Sequence, residues 1–311
     1  MQYYLAPMQS LTGFVFRNAY NQHFHNIDKY FTPFLSDKRL SNKDKNEILP
    51  EHNNGMTVVP QIMTNRSDIF LEITKQLEDY GYTSVNLNLG CPSGTVVPKK
   101  RGAGLLSDLN LLTNLLDDIF EKCPLHISIK TRIGIDSPTE WEELQTIYNQ
   151  YPIEELIIHA RLQQDQYKNH PNLDVYAQAV KNIKCPVCYN GDIHSVTQYN
   201  TFIKKFPETD TIMIGRGALK NPGLIGEING EAPITKEKLL TFHNDIFDGY
   251  KEFISGDTNV LYKMKELWVY LGESYHCENS KKIIKKIMKS KSLSEYHTLA
   301  RHLITECDIA N

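Results

Sequence analysis

The chain contains no run of about 18 consecutive apolar residues, the minimum for a membrane-crossing helix. Its first residues, Met1 to Pro7, read as a short buried strand and lack the basic start of a secretory signal. Both absences point to a protein of the cytoplasm with no membrane partner. Cysteine is sparse and scattered, at positions Cys91, Cys123, Cys185, Cys188, Cys277 and Cys307, which argues for reduced thiols rather than a disulfide framework. A Walker-type phosphate loop is missing, and Gly102-Ala103-Gly104-Leu105-Leu106-Ser107 lacks the third glycine of a dinucleotide fingerprint, so a Rossmann site is not supported. The C-x-x-C at Cys185-Pro186-Val187-Cys188 has no second ligand pair, and it lies beside an apolar strand where positions i and i+3 face opposite ways. No metal is expected.

What the chain does have is length and a regular alternation. Its 311 residues, 41% of them hydrophobic, can bury a full core and carry a smaller second unit. Eight short apolar or β-branched runs recur: Tyr3 to Ala6, Lys29 to Pro33, Thr57 to Ile62, Ser84 to Asn88, His126 to Thr131, Leu156 to Ala160, Pro186 to Asn190 and Thr211 to Gly215. Each is separated from the next by enough chain for a crossover helix. Several intervals carry helical stripes, such as Phe16, Tyr20 and Phe24, or Phe70, Ile73 and Leu77, or Leu109, Leu112 and Leu116. Ser137-Pro138 with Glu140 is a capping box with proline at the first helical position. Strands apolar on both faces and alternating with helices make a parallel sheet covered on both sides. Eight units in roughly 230 residues match a closed (β/α)8 TIM barrel, with an open doubly wound sheet as the alternative.

After about Gly230 the strand signal stops. Thr235 to Asp308 reads as four helices, with stripes Met264, Leu267, Trp268, Leu271 and Ile283, Ile284, Ile287, forming a small C-terminal helical bundle. The expected division is a barrel domain over 1–230 and a helical domain over 231–311. The net charge of −3 hides a basic window: Val260 to Ser292 holds eight lysines against three acids.

In such barrels chemistry sits on the loops after the strands. Seven of the eight expected strands deliver polar or reactive groups there: Ala6-Pro7-Met8, Pro60-Gln61, Asn88-Leu89-Gly90-Cys91-Pro92, Lys130-Thr131-Arg132, His159-Ala160-Arg161, Asn190-Gly191-Asp192 and Gly215-Arg216-Gly217. Any one of these has a plain structural explanation, as a solvated charge or a satisfied polar side chain. Together they are hard to explain as packing, because most cost free energy when crowded and unpaired. The glycine-bearing loops after the seventh and eighth strands lie where such barrels bind phosphate, so a phosphorylated cofactor is implied.

This ordered set of motifs resembles the tRNA-dihydrouridine synthase family. The most specific piece is Val85-Asn86-Leu87-Asn88-Leu89-Gly90-Cys91-Pro92 followed by Gly102-Ala103-Gly104-Leu105-Leu106, and Phe16-Arg17 accompanies the first motif. The resemblance implies that Ala6, Pro7, Met8 and Gln61 line the ring of a tightly bound FMN, that Lys130 and His159 contact that ring, and that Asn190, Gly191, Asp192, Gly215 and Arg216 hold its phosphate. It makes Asn88 the uracil-binding amide and places Arg132 and Arg161 against the uracil or the RNA backbone. NADPH would reduce the flavin, a hydride would pass to C6 of uridine, and Cys91 would protonate C5 from the other face. A thiol suits that role, since it holds its proton near neutral pH yet can release it to a developing enolate.

The implied partner is tRNA, bound by a monomer, with the basic window and its interleaved Tyr262, Trp268 and Tyr270 tracking phosphates, aided by Lys99, Lys100 and Arg101. A solvated helix face explains those lysines equally well. Two departures touch the substrate side: Gln9-Ser10-Leu11-Thr12-Gly13 stands where the family commonly has a glycine and an aspartate, and His159-Ala160-Arg161-Leu162 lacks a usual threonine. Two other functions remain open at this point, a flavin barrel acting on a free pyrimidine and a non-catalytic RNA-binding factor on the same scaffold.

Overall fold

The computed structural model describes residues 1–309. Nine strands form one all-parallel sheet: β1 (Gln2–Leu5), β2 (Lys29–Phe31), β3 (Val58–Val59), β4 (Gln61–Ile62), β5 (Ser84–Leu89), β6 (His126–Arg132), β7 (Leu156–His159), β8 (Val187–Asn190) and β9 (Thr211–Ile214). Their order is β3-β2-β1-β9-β8-β7-β6-β5-β4. The two ends of that order are halves of one strand. Pro60, which has no N–H to give a ladder, splits Thr57–Ile62 into β3, paired with β2, and β4, paired with β5. Asn86 N–H donates to Pro60 O at 2.9 Å and Gln61 N–H to Thr32 Oγ1 at 3.0 Å, so the seam is closed. The expected eight-stranded TIM barrel is thus observed, with its third strand broken once.

Helices follow in chain order: α1 (Phe14–Phe24), α2 (Asn42–Ile48), α3 (Ser67–Asp79), α4 (Leu109–Lys122), α5 (Trp141–Tyr148), α6 (Leu173–Asn182), α7 (Val196–Lys205), α8 (Arg216–Lys220), α9 (Leu224–Ile228), α10 (Lys236–Phe253), α11 (Asp257–Leu271), α12 (Ser280–Lys289) and α13 (Leu293–Glu306). The chain divides into two compact units. One comprises 1–7, 29–192 and 206–213; the other comprises 8–28, 193–205 and 214–311.

In the first unit, register sets what faces inward. Partners in a parallel ladder lie side by side, and alternate residues of a strand face opposite ways. Gln61, Asn86 and Ser128 therefore share one layer; Asn88, Lys130, Ile157 and Cys188 form the next, and Arg132, His159 and Asn190 the one nearest the strand ends. Tyr4, Ala6, Phe31, Val59, Ile157, Cys188 and Met213 pack together as an apolar plug. The barrel interior is thus apolar at its centre and polar toward the carboxyl ends of β4 to β8. The capping box appears as expected: Glu140 accepts from Ser137 N–H at 2.7 Å, and also from Ile135 N–H at 2.8 Å, while Pro138–Glu140 makes a 3-10 turn leading into α5.

The second unit contains α1 and α7 to α13. The stripe Phe16, Tyr20 and Phe24 of α1 meets Phe242 of α10 edge-on, and Tyr20 Oη donates to Pro222 O at 3.0 Å. Tyr296, fully buried on α13, accepts from Trp268 Nε1 at 2.7 Å, which leaves its own hydrogen for His243 Nε2 at 2.7 Å. Cys277 and Cys307 form a disulfide, with Cα atoms 6.0 Å apart. This corrects the expectation that all six thiols are reduced. The two cysteines lie 30 residues apart in sequence, but α12 and α13 fold back so that Tyr275 and Ile309 make an antiparallel bridge beside them. The other four cysteines are free.

Candidate active site

Four hydrogen bonds within the first unit hold the turn that carries Cys91. Asn88 Oδ1 accepts from the N–H groups of both Gly90 and Cys91 at 3.0 Å. Arg132 Nε donates to Gly90 O at 2.9 Å, and Cys91 O accepts from Ala103 N–H at 3.0 Å. Glycine is required in the loop that packs on this turn: a Cβ on Gly102 would lie 2.9 Å from Cys91 Cβ, and one on Gly104 would lie 2.4 Å from Val97 O. Gly102 also takes a φ of +54°, which an L side chain rarely adopts. The spacing between Cys91 and Gly102-Ala103-Gly104 is therefore a packing requirement, and Cys91 itself stays half-buried.

From Asn88 a chain of buried amides runs across the barrel. Asn88 Nδ2 donates to Gln61 Oε1 at 2.7 Å, Gln61 Nε2 to Asn86 Oδ1 at 2.8 Å, and Asn86 Nδ2 to Ser128 Oγ at 2.9 Å. Ser128 Oγ donates to Val85 O at 3.3 Å. Gln61 and Asn88 were expected at this rim; Asn86 and Ser128 were not singled out. Their signal was present, since polar residues at i and i+2 of an otherwise apolar strand occupy one face, as Asn86 and Asn88 do on β5 and Ser128, Lys130 and Arg132 on β6.

Lys130 is half-buried between these groups and has neither a hydrogen bond nor an ion pair among the described residues. Burial, and then the neighbouring Arg132, bring its ammonium down to about 8. His159 is driven well below the ordinary imidazole range, chiefly by burial and further by Arg132, Lys130 and Arg161. It is neutral. Its Nε2 lies 3.0 Å from Arg161 Nη1, and because guanidinium only donates, the imidazole proton sits on Nδ1.

The two arginines are largely committed to protein. Arg132 is fully buried and, besides Gly90 O, donates to Leu162 O at 2.7 Å and Gln166 O at 2.8 Å, with Tyr167 stacked against its guanidinium. Arg161 makes a two-pronged ion pair with Asp192 and donates to Asn169 O at 2.6 Å. Tyr167, half-exposed, also sits against the His159 ring at 6.1 Å, and sequence reasoning missed it because its segment has no periodic pattern. Asn190 donates to Met213 O at 2.9 Å. Ala6 is buried, and Pro7 is half-buried.

Met8, Gly215 and Arg216 belong to the second unit. Met8 opens a tight turn in which its N–H donates to Thr12 Oγ1 at 2.8 Å; Gly215 precedes the short α8, and Arg216 is its first residue. Ser10, in the departed loop, takes a φ of +70°, and Lys263 Nζ donates to its carbonyl at 2.7 Å. On α12, Lys281, Lys282, Lys285, Lys286 and Lys289 are exposed, and none has an ion-pair partner among the described residues. No group of three or more metal-binding side chains occurs among the described residues, and no helix there is long and apolar enough to cross a membrane.

A family profile described as dihydrouridine synthase matches residues 4–305. The chain is 26% identical over 305 residues to a probable tRNA-dihydrouridine synthase of Helicobacter pylori, covering 94% of this chain and 89% of that protein. It is 28% identical over 234 residues to the tRNA-dihydrouridine(16) synthase of Pseudomonas putida, covering 72% of each. Among solved structures, morphinone reductase superposes with a TM-score of 0.52 at 11% identity, covering 78% of this chain and 88% of that one. The old yellow enzyme homologue of Zymomonas mobilis gives 0.52 at 11% identity, covering 78% and 92%. These two likenesses concern the barrel fold alone.

Proposed function

The chain belongs to the dihydrouridine synthase family and reduces uridine in tRNA to dihydrouridine, and we propose that it does so with FMN bound at the polar mouth of the barrel and Cys91 as the proton donor. The donor set fits such a group. Lys130 is a cation with no protein partner, and the mouth places Lys130, Arg132 and Arg161 near two carboxylates, Asp165 and Asp192, so an anionic ligand relieves the imbalance. Gln61, Lys130 and His159 would face the ring, and Ala6 and Pro7 would line it; for Met8 that role rests on its motif alone. Asn190, Gly191 and Asp192 are proposed for the phosphate; for Gly215 and Arg216 that role rests on their motif alone.

Bound FMN would supply a hydride to C6 of the uracil and be replenished by NADPH. The remaining work falls to the chain. Lys130 offsets negative charge on the ring, and neutral His159, with its hydrogen on Nδ1, offers a donor there. Asn88 offers the base a hydrogen from Nδ2, because its oxygen is committed to the Cys91 turn. Cys91 gives its proton to C5, and solvent restores it, so the base gains two electrons and two hydrogens in all. Arg132 acts on the base through the Cys91 turn it holds, and Arg161 by fixing the His159 tautomer. The target uridine must leave its stack to reach the mouth. Lysines of α12 are proposed to track the tRNA backbone.

The observation that carries this reading is the half-buried thiol held on a turn beside a partnerless lysine. Purification tests it. The protein should be yellow, release FMN on denaturation, and restore dihydrouridine, read by nucleoside mass spectrometry, to RNA of a strain lacking its gene. Colourless protein that ignores added FMN would overturn it.

A further inference from the structure

We infer that Asn86 and Ser128 are positioning residues for the reduction: they fix the direction of the amide chain that ends on the Cys91 turn. The inference rests on the proposed role of Cys91.

The direction follows from the two ends of the chain. Backbone N–H groups only donate, so Asn88 must turn Oδ1 toward Gly90 and Cys91 and Nδ2 toward Gln61. Gln61 must then present Oε1 to Asn88 and Nε2 to Asn86, which presents Oδ1 to Gln61 and Nδ2 to Ser128. At the far end the carbonyl of Val85 only accepts, so the single hydroxyl hydrogen of Ser128 goes there and its lone pairs face Asn86. Flipping any one amide sets N–H against N–H and oxygen against oxygen. All four side chains are buried, Asn86 at 0% and Ser128 at 3% exposure, so water cannot repair such a mismatch.

Two consequences reach the reacting base. Asn88 keeps its oxygen on the turn that carries the thiol, and its second Nδ2 hydrogen is left to point at the substrate. Ser128 touches neither; it acts through Asn86, Gln61 and Asn88. Without the Ser128 hydroxyl, Asn86 Nδ2 loses its acceptor and the buried chain is held from the Cys91 end alone.

The test uses full-length holoenzyme, its flavin reduced anaerobically with dithionite and then mixed with dihydrouridine-free tRNA. Flavin reoxidation gives the rate and mass spectrometry the product. Ser128→Ala should lower the maximal rate about tenfold or more, while the half-saturating tRNA concentration and the FMN affinity stay within about twofold. Ser128→Thr, which keeps the hydroxyl, should recover the rate to within about threefold of the parent. If Ser128→Ala does not yield folded holoenzyme, Asn86→Ala is read against the same thresholds. A Ser128→Ala rate within about twofold of the parent overturns the inference, as does a threonine variant as slow as the alanine one. Cys91→Ala separates the two levels: if it is inert while Ser128→Ala is unimpaired, only the positioning role fails, whereas an active Cys91→Ala sinks the proton-donor reading.

Discussion

Arg132 reaches from the end of β6 to donate to the carbonyl of Gly90, 2.9 Å away, immediately before the cysteine. Its other two contacts, to Leu162 O and Gln166 O, tie the same guanidinium to the loop after β7. Two loops of the barrel rim are thereby fastened by one side chain. Three fixed donors in a plane suit arginine and not lysine.

Arg132→Lys should therefore cost about 2–4 kcal/mol of stability, because it leaves one buried and two part-buried carbonyls without their donor. Thermal or denaturant unfolding measures this. Activity should fall further than stability explains, since the Cys91 turn loses one of its anchors.

Lys130 gives a pH dependence. Its folded-state pKa, about 8, lies below the unfolded lysine value, so keeping it charged opposes folding at neutral pH. That penalty fades as pH rises from about 8 toward about 10.4. Lys130→Met should accordingly stabilise the flavin-free protein near pH 7, by a margin that shrinks at alkaline pH. FMN affinity of the parent should weaken above about pH 8 as the ammonium is lost, and that dependence should vanish in Lys130→Met.

Buried His243 gives a second window, on the acid side and of the same sign. Burial lowers its pKa to about 4, below the reference of about 6.5, so its contribution to stability is present above pH 6.5 and is lost as pH falls toward 4. Roughly 3 kcal/mol is at stake across that interval. Denaturant titrations between these pH values should show the loss, and His243→Gln should flatten it.

The disulfide between Cys277 and Cys307 closes a loop containing α12 and α13. Reduction, or Cys277→Ser with Cys307→Ser, should cost about 3–4 kcal/mol through the freed unfolded chain. Unfolding curves with and without a phosphine reductant measure it, and the double variant should be insensitive to the reductant.

Much of this was legible in the sequence because parallel strands announce themselves: apolar, β-branched runs such as Ile127 to Ile129 and Leu156 to Ile158 have few other uses. The rim was legible because strand ends are where polar residues have no packing reason to gather. Other features depend on chain that carries no periodicity. Leu162 O, Gln166 O and Asn169 O, which absorb half of the donor nitrogens of Arg132 and Arg161, come from an irregular loop. The disulfide depends on how α12 turns back onto α13. The break at Pro60 was not anticipated, because Thr57 to Ile62 reads as one run, although a proline inside a strand removes a ladder donor. Asn86 was in view as part of the cysteine motif, but its role lies in a bond to Gln61, 25 residues away in sequence and adjacent only once the barrel closes.

The central claim is that the thiol of Cys91 supplies the proton that completes uracil reduction. The most direct measurement is dihydrouridine in tRNA, by nucleoside mass spectrometry, from a strain lacking the gene and complemented with the parent or with Cys91→Ala at equal protein level. The account predicts dihydrouridine restored by the parent and absent with Cys91→Ala, although the purified variant remains yellow and binds tRNA. Dihydrouridine at the parental level in the Cys91→Ala strain would contradict it.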